Sequence, residues 1–285
     1  MQEKNITKVS DVKNSLIRTG FILEMEVAEF FKEKGFTVNV NNLFMDLEEY
    51  KKREIDIIAT KKINKILVHL IIECKQSLED DWIFICSDAK PSRYYYSVKH
   101  LPNLNNLSKI KIFDQLHTFD RKILIAQNYV VFKKNGGKKS DSLQIPECLH
   151  KLPKALIYEA SQEDAENKNI YFPIAVFSGQ IFSANYNKKL IVKEQEIIQY
   201  NVNFESDFYS ENIGRAPKII TINPEIHDDY ARTEEINKII KTAKTLKSPF
   251  QIDFLTRKGL SAYIKIIEDE IGKISTRKWS FHVKK

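Results

Sequence analysis

The sequence predicts an α/β protein whose central mixed β-sheet is flanked by helices, in the order α-β-β-β-α-β with C-terminal additions. Three observations predict it. Apolar residues recur at helical spacing in FILEMEVAEFFKEKG, and the period then changes to that of strands in FTVNVNNLF, EIDIIAT and ILVHLIIECK. Helix-like and strand-like segments follow one another for the rest of the chain. No internal repeat or Pro/Gly/Ser-rich linker divides them, with only 8 Gly and 8 Pro in 285 residues, so one domain over 1–285 is expected. Its core would span about 10–200, with a strand and helix extension over about 201–285.

Taken in order, a short helix runs from Ser10 to Gly20, and FILEMEVAEFFKEKG forms a better one that Gly35 stops. The three strands follow, with the Lys/Asn-rich KINK between the second and third as a hairpin connection. DWIFICS reads as a short strand or buried segment, and LSKIKIFDQLHTFDRKILIAQNYVVF has the length and apolar spacing of one or two helices. After a basic loop, KKNGGKKSDS, strand signals return in KALIYEA, in PIAVFSGQIFSANY and in KLIVKEQEIIQYNV. The Ser178-Gly179 pair suits a tight hairpin turn. QIDFLT and an amphipathic helix, KGLSAYIKIIEDEIGKI, close the fold.

Composition removes several classes. With 42% hydrophobic and 29% charged residues the chain is globular rather than disordered. The first residues are polar and mixed in charge, unlike a signal peptide. The aliphatic run Ile66 to Ile72 is far shorter than the roughly 20 residues of a membrane span, so a soluble protein with no membrane partner is expected. Cys74, Cys86 and Cys148 form no close pair and no zinc spacing, which fits a reducing cytoplasm. The six histidines show no zinc spacing either, and neither a Gly-rich phosphate loop nor a serine or cysteine nucleophile motif is present. The 45 Lys+Arg exceed the 38 Asp+Glu by seven, for a pI of about 9.0, which permits a polyanionic partner.

Charges inside aliphatic strands carry the functional reading. Side chains alternate along a strand, so Glu73 and Lys75 point to one face and Cys74 to the other. A buried carboxylate or ammonium costs several kcal/mol unless paired or bound to a metal. A plain Glu73/Lys75 pair at the exposed strand end would meet that requirement. A metal site would also meet it if Asp56 on the neighbouring strand joined them. A four-residue loop, Lys62 to Lys65, places Asp56 opposite Ile71 with Glu73 diagonal to it; a five-residue loop puts Asp56 on the face of Cys74 instead. On the upstream helix, Glu24 falls at the edge of the stripe formed by Leu23, Val27, Phe30 and Phe31, either facing inward or as a surface acid. Glu26 reads as solvated.

The ordered combination of GFILEMEVAEFFKEKGF, REIDIIA, LIIECKQS and DDWIFIC resembles the PD-(D/E)xK superfamily of restriction-endonuclease-like nucleases, with an Mrr-like branch among its possible homes. Ile55-Asp56 stands where the family usually has Pro-Asp. The resemblance implies that Asp56 and Glu73 hold Mg²⁺ (or Mn²⁺), that Lys75 acts at the attacking water, that Glu24 supports a metal or its waters, and that Gln76 is a weaker participant. It implies cleavage of phosphodiester bonds, most often in DNA, in restriction, defence or repair. Hard carboxylates select Mg²⁺, which activates water and neutralises a phosphorane-like transition state. Desolvation and the metal would lower the pKa of Lys75, whereas two adjacent carboxylates would raise it.

Candidate nucleic-acid contacts are Lys61, Lys62 and Lys65 beside the hairpin, and Lys133, Lys134, Lys138 and Lys139 around flexible glycines, each with a solvated loop as its bland reading. Arg93 with Tyr94, Tyr95 and Tyr96 is a stacking candidate for unpaired bases, or a partly buried cluster. The alternative to a nuclease is a catalytically silent domain of the same fold that binds nucleic acid or serves as a structural subunit. A homo-oligomer or a defence-system partner protein is compatible with either.

Overall fold

The computed structural model describes residues 8–47, 51–86, 90–93, 95–98, 112–113, 118–134, 139–140, 142–162, 168–202, 235–240, 242 and 250–276. Lys138 and Tyr94 lie outside these, as does the side chain of Arg93. Helix α1 spans Val9–Arg18 and α2 Phe21–Glu33. Gly35, at φ 77°, ends α2 as the sequence requires: the N–H of Phe36 reaches the carbonyl of Phe31, a closing turn that needs a left-handed residue. Strands β1 (Thr37–Asp46), β2 (Lys51–Ile63) and β3 (Ile66–Lys75) then form an antiparallel meander. Six strands precede the next helix: β4 (Asp80–Cys86), β5 (Lys90–Arg93), β6 (Tyr95–Val98), β7 (Ile112–Phe113), β8 (Thr118–Ile123) and β9 (Ile125–Lys133). Helix α3 covers Gln144–Gln162 and leads into β10 (Lys168–Phe177), which lies parallel to β3. Strands β11 (Ile181–Asn187), β12 (Lys189–Gln195), β13 (Ile197–Val202) and β14 (Phe250–Thr256), and helix α4 (Leu260–Thr276), complete the described chain.

The protein is α/β, with helices flanking one large mixed sheet whose path runs β1-β2-β3-β10-β14-β13-β9-β4-β11-β12. Each face has its own apolar core. On β3, Val68, Leu70 and Ile72 pack with Leu23, Val27 and Phe31 of α2 and Tyr263 and Ile264 of α4. Ile71, one step out of phase, belongs to the other core with Cys148, Leu152 and Leu156 of α3. Period-two alternation therefore turns Glu73 and Lys75 towards α3. Among the described residues no helix is long and apolar enough to cross a membrane.

Three expectations are corrected. The stretch from Thr118 to Phe132, expected to be helical, is strand: β9 runs antiparallel to β4 from Asp80↔Lys133 to Ile85↔Asn128, and the β-branched Ile125, Val130 and Val131 fit a ladder better than a helix. KALIYEA lies within α3 rather than forming a strand, because Leu152, Ala155, Leu156 and Ala160 recur at helical spacing and are all buried. That burial outweighs Pro153, which removes one intrahelical donor at a cost of about 3 kcal/mol. Ser178-Gly179 joins no hairpin: β10 pairs with β3 and β14, whereas β11 pairs with β4 and β12. Glycine is needed at 179 for close approach instead, since a Cβ there would lie 2.6 Å from the Phe177 ring and 2.8 Å from the carbonyl oxygen of Asp80.

Candidate active site

The connection between β2 and β3 is shorter than the four residues expected. Ile63 pairs with Ile66, leaving Asn64 (φ 49°) and Lys65 (φ 70°) as a two-residue turn with both residues left-handed, the arrangement of a type I′ hairpin. The register moves by two positions, so the face is preserved but the partner changes. The ladder's last pair is Ile57↔Ile72, and one step beyond it stand Asp56 and Glu73, across from each other rather than diagonal. There the ladder stops. Asp56 Oδ2 accepts the N–H of Cys74 at 2.6 Å, so a side chain takes the place of the next backbone acceptor.

Helix α3 adds two residues that the sequence reading missed. Glu147, Lys151 and Lys154 sit at i, i+4 and i+7, one stripe facing the strand ends. Lys151 Nζ lies 2.6 Å from Glu73 Oε2 and 3.6 Å from Asp56 Oδ1, so one ammonium spans both carboxylates. Lys75 Nζ lies 3.0 Å from the other Glu73 oxygen, Oε1, and 2.8 Å from Glu147 Oε2. Glu147 and Lys151 precede Pro153 in QIPECLHKLP, a stretch to which the sequence reading gives no element.

Glu24 arrives from the first turn of α2, beside the end of β3. Gly20 caps that helix at φ 85°, a conformation that favours glycine, and a Cβ there would make ordinary contact with Gln76 Cβ at 3.5 Å and Glu24 Oε1 at 3.8 Å. Gln76 is tied in from the other side, its carbonyl accepting from Gln144 Nε2 at 2.8 Å. Burial and then the negative charges of Asp56, Glu73 and Glu54 push the Glu24 carboxyl up, against a smaller opposing pull from Lys151. Glu73 is 2% exposed, and burial and Asp56 raise its carboxyl too, against Lys151 and Lys75. Burial of Lys75 works against its charge, but the carboxylates of Glu73 and Glu147 outweigh this and hold its ammonium above the usual lysine range. In the metal-free protein the carboxylates therefore outweigh desolvation.

Among the described residues no three His, Cys, Asp or Glu side chains form a ready metal cage. The donor set nevertheless fits a hard divalent ion. Mg²⁺ keeps several waters and commonly uses only one or two carboxylates. Here two facing carboxylates already share a cation, the Lys151 ammonium, while burial first and neighbouring negative charge second push the carboxyls of Glu24 and Glu73 up.

The site opens into a cleft of about 670 Å³ whose walls are Glu73, Lys75 and the α3 stripe on one side and Lys51, Lys52 and Arg53 of β2 on the other. Lys51 and Lys52 are exposed, whereas Arg53 and Lys154 converge on the buried Asp46, with Lys154 Nζ bonding its two oxygens at 3.1 and 2.9 Å. The lysines singled out in the sequence lie elsewhere. Lys61 is five residues along β2 from Asp56, roughly 17 Å, and its Nζ binds Lys34 O and Glu268 Oε1, each at 2.8 Å. Lys62 and Lys65 are further out, at the hairpin tip, so none of the three is beside the site. Lys133 ends β9 and Lys134 follows it, pairing with Asp81 at 3.3 Å, and Lys139 is exposed and bridged to Phe132. Arg93 is paired through its backbone with Thr118. Glu26, read as solvated, pairs with Arg257 at 2.8 Å.

The raised Glu73 carboxyl has a pH consequence. Between its ordinary value of 4.5 and its raised value, the folded protein holds a proton that the unfolded chain has released, so this group's contribution to stability grows as pH falls through that window. In thermal melts with EDTA, the melting temperature of wild type relative to Glu73→Gln should rise between about pH 7 and about pH 5. A fall over the same range would contradict the raised value.

Comparison of the chain with protein-family models, curated proteins and solved structures returned no match.

Proposed function

We propose that the protein is a metal-dependent nuclease that hydrolyses phosphodiester bonds, in DNA before other substrates, with a restriction-endonuclease-like core of the PD-(D/E)xK type. The observation that carries this is the convergence of Asp56, Glu73 and Lys75 on one sheet face where the β2–β3 ladder ends, with Glu73 and Lys75 lining a lysine-rich cleft. The succession α2, β1, β2, β3, α3, β10 supports it as well, since it follows the α-β-β-β-α-β order with β4 to β9 inserted before α3.

Asp56 and Glu73 would hold Mg²⁺, or Mn²⁺ in its place, with Glu24 reaching its waters; such an ion activates water and neutralises charge on phosphorus-bound oxygens. The chain's own groups do the rest. Cys74 N–H fixes the Asp56 carboxylate by a 2.6 Å hydrogen bond. Lys75, held between Glu73 and Glu147, would offer positive charge to the developing phosphorane. Lys51 and Lys52, exposed on the cleft wall, suit contact with successive backbone phosphates, which gives affinity without sequence choice.

A second reading, a catalytically silent domain of this fold, draws on the same Lys151 bridge, because an internal ammonium can neutralise two acids without any metal. One experiment separates them. Supercoiled plasmid, linear duplex, single-stranded DNA and RNA are each incubated with the protein in Mg²⁺ or EDTA, beside Lys75→Ala. Cleavage of the DNA substrates that needs both Mg²⁺ and Lys75 is expected. Equal behaviour of wild type and variant on every substrate would leave only the silent domain.

A further inference from the structure

The two lysines at the site are not equivalent. Lys75 has an acid of its own: besides Glu73 it holds Glu147 at 2.8 Å, and Glu147, which also lines the cleft, is not one of the two acids that would ligate a metal. Lys151 has no such second attachment in the geometry of the site, since the carboxylates it contacts, Glu73 at 2.6 Å and Asp56 at 3.6 Å, are the two that would ligate a metal. An ammonium and a divalent ion cannot occupy the same contact with Glu73. The side chain is 23% exposed and lines the cleft, so it has water to move into, whereas Glu73, at 2%, is fixed.

We infer that Lys151 is the resident counter-cation of the metal seat and competes with the divalent ion for it, so that metal entry displaces Lys151 into the cleft while Lys75 stays paired. This rests on the nuclease reading insofar as Asp56 and Glu73 form the seat. The device has a physical purpose: without Lys151 the metal-free protein would bury two facing carboxylates with too little compensating charge, and with it the ion is admitted at reduced affinity. The freed ammonium is then on the wall where a substrate phosphate would lie.

Binding of Mn²⁺ alone, followed by electron paramagnetic resonance of the free ion, tests this on the full chain without reference to catalysis. Lys151→Gln and Lys151→Met should bind Mn²⁺ about tenfold more tightly than wild type, the effect of removing one competing half-buried ion pair. The double variant Asp56→Asn/Glu73→Gln should lose the site. Circular dichroism checks each fold, and the glutamine variant, which keeps a polar group facing Glu73, carries the test if the methionine variant is unfolded. Unchanged or weaker binding in the Lys151 variants, with loss in the double variant, overturns the competition and leaves the nuclease reading standing. Equal binding by wild type and the double variant overturns both.

Discussion

Asp56→Asn and Asp56→Ala should each lower the rate of Mg²⁺-dependent DNA cleavage by at least about a thousandfold, the scale of losing a metal-binding or transition-state-stabilising group. They should differ in stability. Asp56 also closes the β2–β3 ladder by accepting the Cys74 N–H, a bond that the side-chain carbonyl of asparagine can keep and alanine cannot. Leaving that buried donor unsatisfied costs about 1–3 kcal/mol, so Asp56→Ala should melt several degrees below Asp56→Asn. Two equally inactive variants with separate melting temperatures would show that the carboxylate has a structural role and a charge role. Equal melting temperatures would remove the structural one.

Trp82→Ala should be the most damaging single change to the core. The indole is 0% exposed, stacked on Phe177 at 3.8 Å between centroids and 4° between planes, with Phe254 edge-on at 5.7 Å and 77°. Emptying such a site costs about 3–5 kcal/mol, which for a chain of this size lowers the melting temperature by about 10 °C. The link to function is short. Phe177 precedes Ser178, whose N–H donates to Lys75 O at 3.1 Å and whose Oγ accepts from Ser77 N at 3.0 Å. The stack therefore clamps the end of β3 that presents Lys75. A calorimetric melt that moves by less than about 2 °C would mean that Trp82 is not packed as described.

The site's floor was legible from the sequence because it is local. Glu73-x-Lys75 lies within one strand, and alternation alone puts both on one face. The face of Asp56 was left open between a four-residue loop, which puts it with Glu73, and a five-residue loop, which puts it with Cys74, and the actual turn is neither. The KINK segment closes through Asn64 and Lys65 alone, and the error of two positions in register preserved the face while turning a diagonal neighbour into a facing one. Lys151 and Glu147 were not legible, since the run that follows them, Ala155 to Tyr158, reads as strand and Pro153 argues against a helix that joins the two. Pairings such as β4 with β11 join residues about a hundred positions apart, and no local period encodes them. The charge of Lys75 was likewise undecidable before Glu147, on a distant helix, was placed 2.8 Å from it.

The most direct measurement is the rate of strand breakage in supercoiled plasmid by purified wild type and by Asp56→Asn, each with Mg²⁺ and with EDTA. Conversion to open-circular or linear DNA by wild type in Mg²⁺ alone, with the other three reactions silent, is the expected result. Strand breakage that persists in EDTA, or that proceeds equally in Asp56→Asn, would contradict a metal-dependent site built on Asp56 and Glu73.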